Sequence, residues 1–463
     1  MTSAEGVTAY LVHLLPRWRE GNGRVGVWIV SACLGLGTAG AAQAAELPAG
    51  LSLSGSARIR YEALGGQLRA GVGTGEDMLL LRTTLAAEYR AGRLRFGAEL
   101  YDSRAFGADR GGVLSASDVN ALEPVQAYVG ADLGPVAVQA GRMMVNLGSR
   151  RLVAADDYRN TTNGYTGLKL DAKGGGGTAL TLVYLQPQTR LPEDMASLRA
   201  NRARLDDEGA DLALWGGIAG KSGLFGQATL EAQYFRLDER DAPGRPTRDR
   251  GLDTYGLRLI RAQAPGRFDY EVEVLRQSGR VSASAAPAAP AQRVAAGFVH
   301  AEAGYQWTGG WKPHLALEYD RVGGDRPGGR YNRFDTLFGS RRNEFAPSGI
   351  LSAIGRANIE MVGARIEATP DARWDFLAHY APMWLDAAGD AFSTTGVRDP
   401  AGASGRFAGH LVEGRLRWWV VPAALRFEAN GAWIAKGRFL KAAPNAPRTG
   451  DTRYIAASLT ATF

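Results

Sequence analysis

Apolar and polar residues alternate with period two from residue 51 to the last residue of the chain. Leu51-Ser52-Leu53-Ser54-Gly55-Ser56-Ala57-Arg58-Ile59-Arg60-Tyr61 places Leu51, Leu53, Ala57, Ile59 and Tyr61 on one face. Ser52, Ser54, Ser56, Arg58 and Arg60 occupy the other. This period belongs to a strand with one face in a dry medium and one in a wet medium. Segments 79–89 and 93–100 repeat it, and 453–463 closes the chain with it, setting Ile455, Ala457, Leu459, Ala461 and Phe463 against Ser458, Thr460 and Thr462. Further strands are expected at 123–133, 136–145, 164–171, 178–186, 210–219, 224–236, 252–262 and 267–277. The remainder fall at 293–307, 312–321, 356–367, 372–385, 408–420 and 422–435. The total is about 18, most near the roughly 9–11 residues that a tilted strand needs to cross a bilayer. Beyond the N-terminal region, no run approaches the ~18 apolar residues of a membrane helix.

The connections alternate as well. Tight turns are expected at Ala91-Gly92, Leu133-Gly134-Pro135, 173–177, Gly220-Lys221-Ser222-Gly223, Ala264-Pro265-Gly266, Thr308-Gly309-Gly310, Thr369-Pro370-Asp371 and Val421-Pro422. Between them come longer polar stretches at 64–76, 103–122, 146–163, 187–209, 237–251, 278–292, 322–355, 386–407 and 436–452. A soluble sandwich has no reason to alternate in this way. The pattern predicts an all-β fold, a transmembrane antiparallel up-and-down β-barrel with short periplasmic turns and long extracellular loops. Both termini then lie in the periplasm, and 453–463 must pair with 51–61 because an open edge cannot face lipid. Trp307, Trp311, Trp418 and Trp433 lie at strand ends, where aromatic girdles belong.

Composition changes this picture little. The chain has 463 residues with 61 Gly, 1 Cys and 45% hydrophobic residues, which excludes global disorder. Its net charge of +7 is scattered singly, so no nucleic-acid partner is expected. Arg17, Arg19 and Arg24, the apolar run 25–36 and Ala42-Gln43-Ala44 predict a signal peptide at 1–44, leaving a barrel at 45–463 in the outer membrane of a Gram-negative bacterium. Cys33 leaves with that leader. Gly35-Leu36-Gly37-Thr38-Ala39-Gly40 matches a nucleotide-loop pattern without the surrounding βαβ unit, and Val30-Ser31-Ala32-Cys33 has too short an apolar run before it for a lipoprotein signal.

No catalytic constellation is present, and neither an enzyme nor a cofactor is expected. His300, His314, His379 and His410 lack metal-ligand spacing, and Asp206-Asp207-Glu208 with Asp211 is expected to be a solvated charge run. The polar phase of the strands carries Arg58, Arg60, Arg82, Arg95, Arg258, Arg415 and Arg417. Guanidinium groups stay charged and grip carboxylates in two-pronged fashion, and rings of them in a narrow pore attract anions. Glu62, Glu88, Glu99, Glu271, Glu273 and Glu413 share that phase, and pairing with them would leave a stiff wall with little net field.

Two stretches are more specific. One is Gly141-Arg142-Met143-Met144-Val145-Asn146-Leu147-Gly148-Ser149-Arg150-Arg151-Leu152-Val153, continuing to Arg159 and Asn163-Gly164-Tyr165-Thr166-Gly167. The other is Tyr331-Asn332-Arg333-Phe334-Asp335-Thr336-Leu337-Phe338-Gly339-Ser340-Arg341-Arg342. Here the chain resembles the alginate-export family of outer-membrane porins. The resemblance implies a monomeric barrel of about 18 strands with an Arg-rich lumen and gating loops, passing uronate polysaccharide outward by passive diffusion. Arg142, Arg150, Arg151 and Arg159 match the family's first motif, and Phe334, Asp335, Phe338, Arg341 and Arg342 its second. Met143 stands where a polar residue is common, and Asn163-Gly164-Tyr165-Thr166-Gly167 replaces the usual Phe-Asp-Gly, which bears on polymer specificity more than on fold. The alternative is a general or small-anion uptake porin. Expected partners are outer-membrane lipid, an anionic saccharide, periplasmic export components, and the barrel-insertion machinery, whose signal the strand ending in Phe463 resembles.

Overall fold

A chain that crosses lipid must satisfy every backbone amide within itself, and this one does so by closing a sheet on itself. The computed structural model describes residues 47–156, 158–340, 345, 347 and 349–463. The leader expected at 1–44, and Arg341 and Arg342, lie outside the described residues. The strands are β1 (Leu51–Gly65), β2 (Gly75–Ala91), β3 (Leu94–Phe106), β4 (Asn120–Leu133), β5 (Val136–Met143), β6 (Tyr165–Lys173) and β7 (Thr178–Pro187). Next come β8 (Leu212–Leu224), β9 (Ala228–Glu239), β10 (Gly251–Arg261), β11 (Arg267–Ser282), β12 (Ala291–Gln306) and β13 (His314–Val322). The series ends with β14 (Arg330–Tyr331), β15 (Ile359–Ala368), β16 (Trp374–Trp384), β17 (Phe407–Val421), β18 (Leu425–Lys436) and β19 (Thr452–Thr462). The two-residue β14 lies in a loop and pairs in parallel with β12, while β13 pairs directly with β15. The other 18 strands form a closed antiparallel barrel.

Closure joins β1 to β19, with Ile59 opposite Leu459 and Arg60 opposite Ser458. Gly55 and Phe463 exchange both backbone hydrogen bonds, at 3.0 and 3.1 Å. The Phe463 ring lies over Gly55 so closely that a Cβ there would sit 2.4 Å from Cζ. Only glycine fits at that point.

The two faces reverse the order of a soluble protein. Leu53, Leu85, Val129, Leu168, Leu257, Leu317, Ile366 and Ile455 are exposed on the outside, where lipid covers them. Arg58, Arg60, Glu62, Glu273, His300, Glu318, Glu428 and Asn430 are buried within. At the short-turn end, Phe268, Tyr305 and Trp307 pack at 4.9 and 5.0 Å. Nearby, Trp311, Phe376, Trp374 and Trp418 form a row with stacked rings 6.0, 5.9 and 5.3 Å apart. These are interfacial aromatics of one membrane boundary.

One turn falls elsewhere than expected. Gly220-Lys221-Ser222-Gly223 continues β8 as a bulge rather than ending it, because the register shifts between Lys221 and Leu224. Gly223 absorbs the irregularity at φ +79°, and the chain reverses at Phe225-Gly226-Gln227 instead, with φ of +41°, +75° and +81°.

The barrel's loop-side half holds a hydrophobic core of its own. Inward-facing Leu64, Met78, Leu80, Leu275, Phe298, Met361 and Met383 meet Val145, Leu147, Leu152, Phe334, Phe345, Ile350 and Ile354 from the loops. The lumen is therefore filled at one end by folded chain. This arrangement positions the site.

Candidate functional site

The third long loop, L3 (144–164), and the seventh, L7 (323–358), turn inward and build a partition across the lumen. The descending limb of L3 hangs from arginines of the barrel wall. Arg58 Nη2 donates to Arg159 O at 2.9 Å and to Asn160 Oδ1 at 3.2 Å. Arg60 Nη1 donates to Tyr158 O at 2.6 Å, and its guanidinium lies 4.4 Å from the Tyr158 ring centroid. Arg82 Nη1 donates to Arg159 O at 3.2 Å, and Ser103 Oγ to Asn160 O at 2.6 Å. Asn160 Nδ2 is directed at the carbonyls of Leu81, Arg104 and Asp118, within 2.8–3.1 Å. These bonds take the place of water that an irregular segment inside a barrel would otherwise require.

The tip of L3 crosses to the far wall. Arg150 N donates to Leu147 O at 2.8 Å, and Arg150 sits at φ +64°, closing a tight turn. Arg151 is paired with Glu271 and, at 2.6 Å, with Glu273, both on β11. Ser149 Oγ and Gln233 Nε2 also donate to Glu273, at 3.1 and 2.6 Å. L7 runs beside this tip. Phe338 N donates to Leu152 O at 2.9 Å, Ala154 N to Phe338 O at 3.1 Å, and Ser340 N to Arg150 O at 2.9 Å. A Cβ at Gly339 would lie 1.9 Å from Arg151 O, so the two loops approach this closely only with glycine there. Buried Arg356 donates to Ser340 O at 2.5 Å, and Glu62 of β1 accepts from Ile350 N at 2.7 Å.

Below the partition lies a polar cavity of about 430 Å³, lined by Ser149, Arg150 and Arg151 of L3 and by charged residues of β10–β17. Its wall is a lattice of pairs. Arg258 meets Glu231 and Glu271 at 2.9 and 3.0 Å, and Arg365 meets Glu302 and Glu318 at 2.8 and 3.0 Å. Arg415 meets Asp375 at 2.7 Å, and His379 and His300 meet Glu318 and Asp320 at 2.7 and 2.9 Å. Arg150 differs. It is exposed to the cavity and, among the described residues, meets no carboxylate.

The arginines expected from the sequence thus separate into groups. Arg58, Arg60 and Arg82 point inward but lie beneath L3, the first two only 6% and 4% exposed. Arg151, Arg258, Arg415 and Arg417 are each paired with a wall carboxylate, Arg417 with Glu428 at 2.7 Å. Arg95 pairs with Asp132 at 3.0 Å toward the short-turn end, and Arg159 pairs with Asp156 at 3.0 Å inside L3. Arg142 joins Glu123 and Glu208, the latter at 2.6 Å, tying β5 to L4 (188–211). The run at 206–208 is accordingly not wholly solvated: Asp206 is buried, accepts from Asn120 Nδ2 and Leu191 N at 2.5 and 2.9 Å, and is pushed up by that burial. Arg356 and Arg365 are not among the arginines expected from the sequence. Arg365 was visible on the inward phase of its strand; Arg356 sits in a loop, where no period marks it.

Asp118, in L2 (107–119), gives the partition a pH dependence. Burial pushes its carboxyl up to about 6, and Glu62 adds to this, while Ser115 N and Oγ, both at 3.0 Å, oppose it. A carboxyl whose packed-state value is raised favours the packed state more as pH falls through that value. Below about pH 6 the L2–L3 packing is therefore stabilised, and above it a buried charge weighs against closure. Single-channel closed times are expected to lengthen from pH 7 to pH 5, and Asp118→Asn is expected to show the long closed times at both pH values.

A family model described as alginate export matches residues 50–453. No curated protein matches the chain. Among solved structures, the outer-membrane protein OpdK of Pseudomonas aeruginosa is 12% identical with a TM-score of 0.57, covering 89% of this chain and 99% of that one. OccAB2 of Acinetobacter baumannii is 13% identical with a TM-score of 0.58, covering 89% and 98%. OccK2 (OpdF) of Pseudomonas aeruginosa, solved in complex with glucuronate, is 14% identical with a TM-score of 0.55, covering 89% and 98%. At these identities the likeness is one of fold.

Proposed function

The chain belongs to the alginate-export family, and from that premise we infer that this outer-membrane channel passes a carboxylated saccharide of the uronate type by diffusion. The observation that carries the reading is Arg150, a guanidinium without a carboxylate partner among the described residues, held at the edge of the polar cavity by a tight turn. In a polar cavity walled by lipid-embedded strands, such a charge attracts anions from a greater distance than it would in bulk water. The bound glucuronate of OccK2 supports the same chemistry. In planar bilayers the channel is expected to be anion-selective and blocked by oligouronate. Arg150→Glu should lower the anion-to-cation permeability ratio by about threefold to tenfold. Cation selectivity of the unaltered channel would overturn the substrate assignment.

A second reading, uptake of single small carboxylates, is favoured by the partition itself. A cavity of about 430 Å³ suits one sugar acid or aromatic acid better than a polymer. Faster liposome flux of glucuronate than of its oligomers would select it. The leader at 1–44 delivers the chain to the periplasm, the strand ending in Phe463 engages the barrel-insertion machinery, and periplasmic export components impose direction on a passive pore.

A further inference from the structure

On the outer wall, at the loop-side edge of the apolar belt, four arginines stand together with no carboxylate partner among the described residues. Reading β11 outward from the short-turn end, its lipid-facing residues are Phe268, Tyr270, Val272 and Val274, then Arg276, Ser278 and Arg280. The neighbouring face of β12 is apolar or small from Tyr305 to Ala295, then presents Arg293. From Phe268 to Arg276 the strand climbs about 20 Å, which places the arginines near the top of a hydrocarbon belt of roughly 25 Å. Arg280 and Arg293 are direct cross-strand partners, and Arg330 of β14 pairs with Arg293 on the other side. Arg276 leans across β12, its Nη1 lying 3.3 Å from where a Cβ at Gly297 would stand. All four are exposed.

Like charges placed directly opposite on a sheet destabilise it unless something lies between them. Along the same rim the protein supplies carboxylates elsewhere: Arg104 meets Asp102 at 2.9 Å, Arg321 meets Asp386 at 2.8 Å and Arg406 meets Glu360 at 2.6 Å. Asp253, opposite Ser278 on the neighbouring strand, is already held by Arg236 and Tyr234, each at 2.8 Å. Among the described residues Arg276, Arg280, Arg293 and Arg330 have no carboxylate partner.

We propose that this patch binds the phosphate groups of a phosphorylated outer-leaflet glycolipid. The height is that of lipid headgroups, the outward direction excludes the lumen, and guanidinium groups grip phosphate oxygens in paired hydrogen bonds. The apolar wall below, Val272, Val274 and Val299, receives the acyl chains. This inference is independent of what the pore conducts.

The test uses the purified full-length barrel and native mass spectrometry with lipid A carrying both phosphates, against lipid A stripped of phosphate. The unaltered protein is expected to retain the phosphorylated form preferentially. R276Q/R280Q/R293Q should bind it on the order of a hundredfold more weakly, and R280Q alone about fivefold, from the usual gain per basic residue at an anionic lipid surface. R104Q/R321Q, removing paired arginines of the same rim, should stay within about twofold. Heat-modifiable migration reports folding, and R280Q keeps the test decisive where the triple variant fails to fold. Equal retention of phosphorylated lipid A by R280Q and the unaltered protein would overturn the proposal. So would equal retention of the phosphate-free lipid, or an equal loss in R104Q/R321Q.

Discussion

Arg151→Ala is expected to open the channel. Arg151 is the only described cation bonded to Glu273, whose carboxylate is 0% exposed, and it is shared with Glu271. Removing one partner of a buried ion pair costs about 3–5 kcal/mol, because the remaining charge loses its compensation without regaining water. That penalty falls on the state in which the L3 tip seals the far wall, since a withdrawn tip lets water reach Glu273. The barrel ladder is untouched, so thermal unfolding of the barrel should shift little while conductance and open time rise severalfold. R151A/E273Q should return part of the way, as the neutral amide can still accept from Ser149 and tolerates burial. Unchanged conductance in Arg151→Ala would show that Arg151 does not hold the tip against the far wall.

The second large effect concerns closure. Gly55→Val is expected to lower the yield of folded barrel severalfold, since any Cβ at this position meets the Phe463 ring at 2.4 Å and Thr84 O at 2.7 Å. Deleting Phe463 should act at the same seam from the other side, removing both backbone bonds to Gly55 and a ring that packs on it. Whatever assembles in either variant should keep normal ion selectivity, because neither strand of the seam contributes a residue to the lining of the cavity. Heat-modifiable migration measures the folded fraction and bilayer recording the selectivity. Normal surface levels of both variants would remove the claim that this seam governs assembly.

The two results probe parts of the molecule that were unequally legible. The β1–β19 pairing follows from the chain alone: both segments alternate, lipid forbids an open edge, and the observed register sets Ile59 beside Leu459. The inward direction of Arg58, Arg60, Arg258 and Arg415 follows from the same period. Their work does not. Arg58 and Arg60 were expected to line an open pore, yet they hold a loop a hundred residues further along, through Tyr158 O, Arg159 O and Asn160. A sign of this was present in Met78-Leu79-Leu80-Leu81, where apolar residues fill both faces of one strand. One face needed lipid and the other needed something equally dry, which is the core under L3 and L7.

By itself the sequence determined the all-β class, the strand phases, the alternation of short and long connections and the closing pair, since each depends on neighbours two residues apart or on the bilayer's thickness. It also marked the two stretches, around Arg150 and Phe338, that resemble the alginate-export family. Only the tertiary structure decided that these stretches meet, with Phe338 N bonded to Leu152 O, and that they meet in the hydrophobic core of the barrel's loop-side half. It decided too which of the described arginines are neutralised and that, among them, Arg150 faces the cavity without a carboxylate partner. Pairing depends on distances between side chains far apart in sequence, as with Arg151 and Glu273 or Glu62 and Ile350, and no local period encodes those distances.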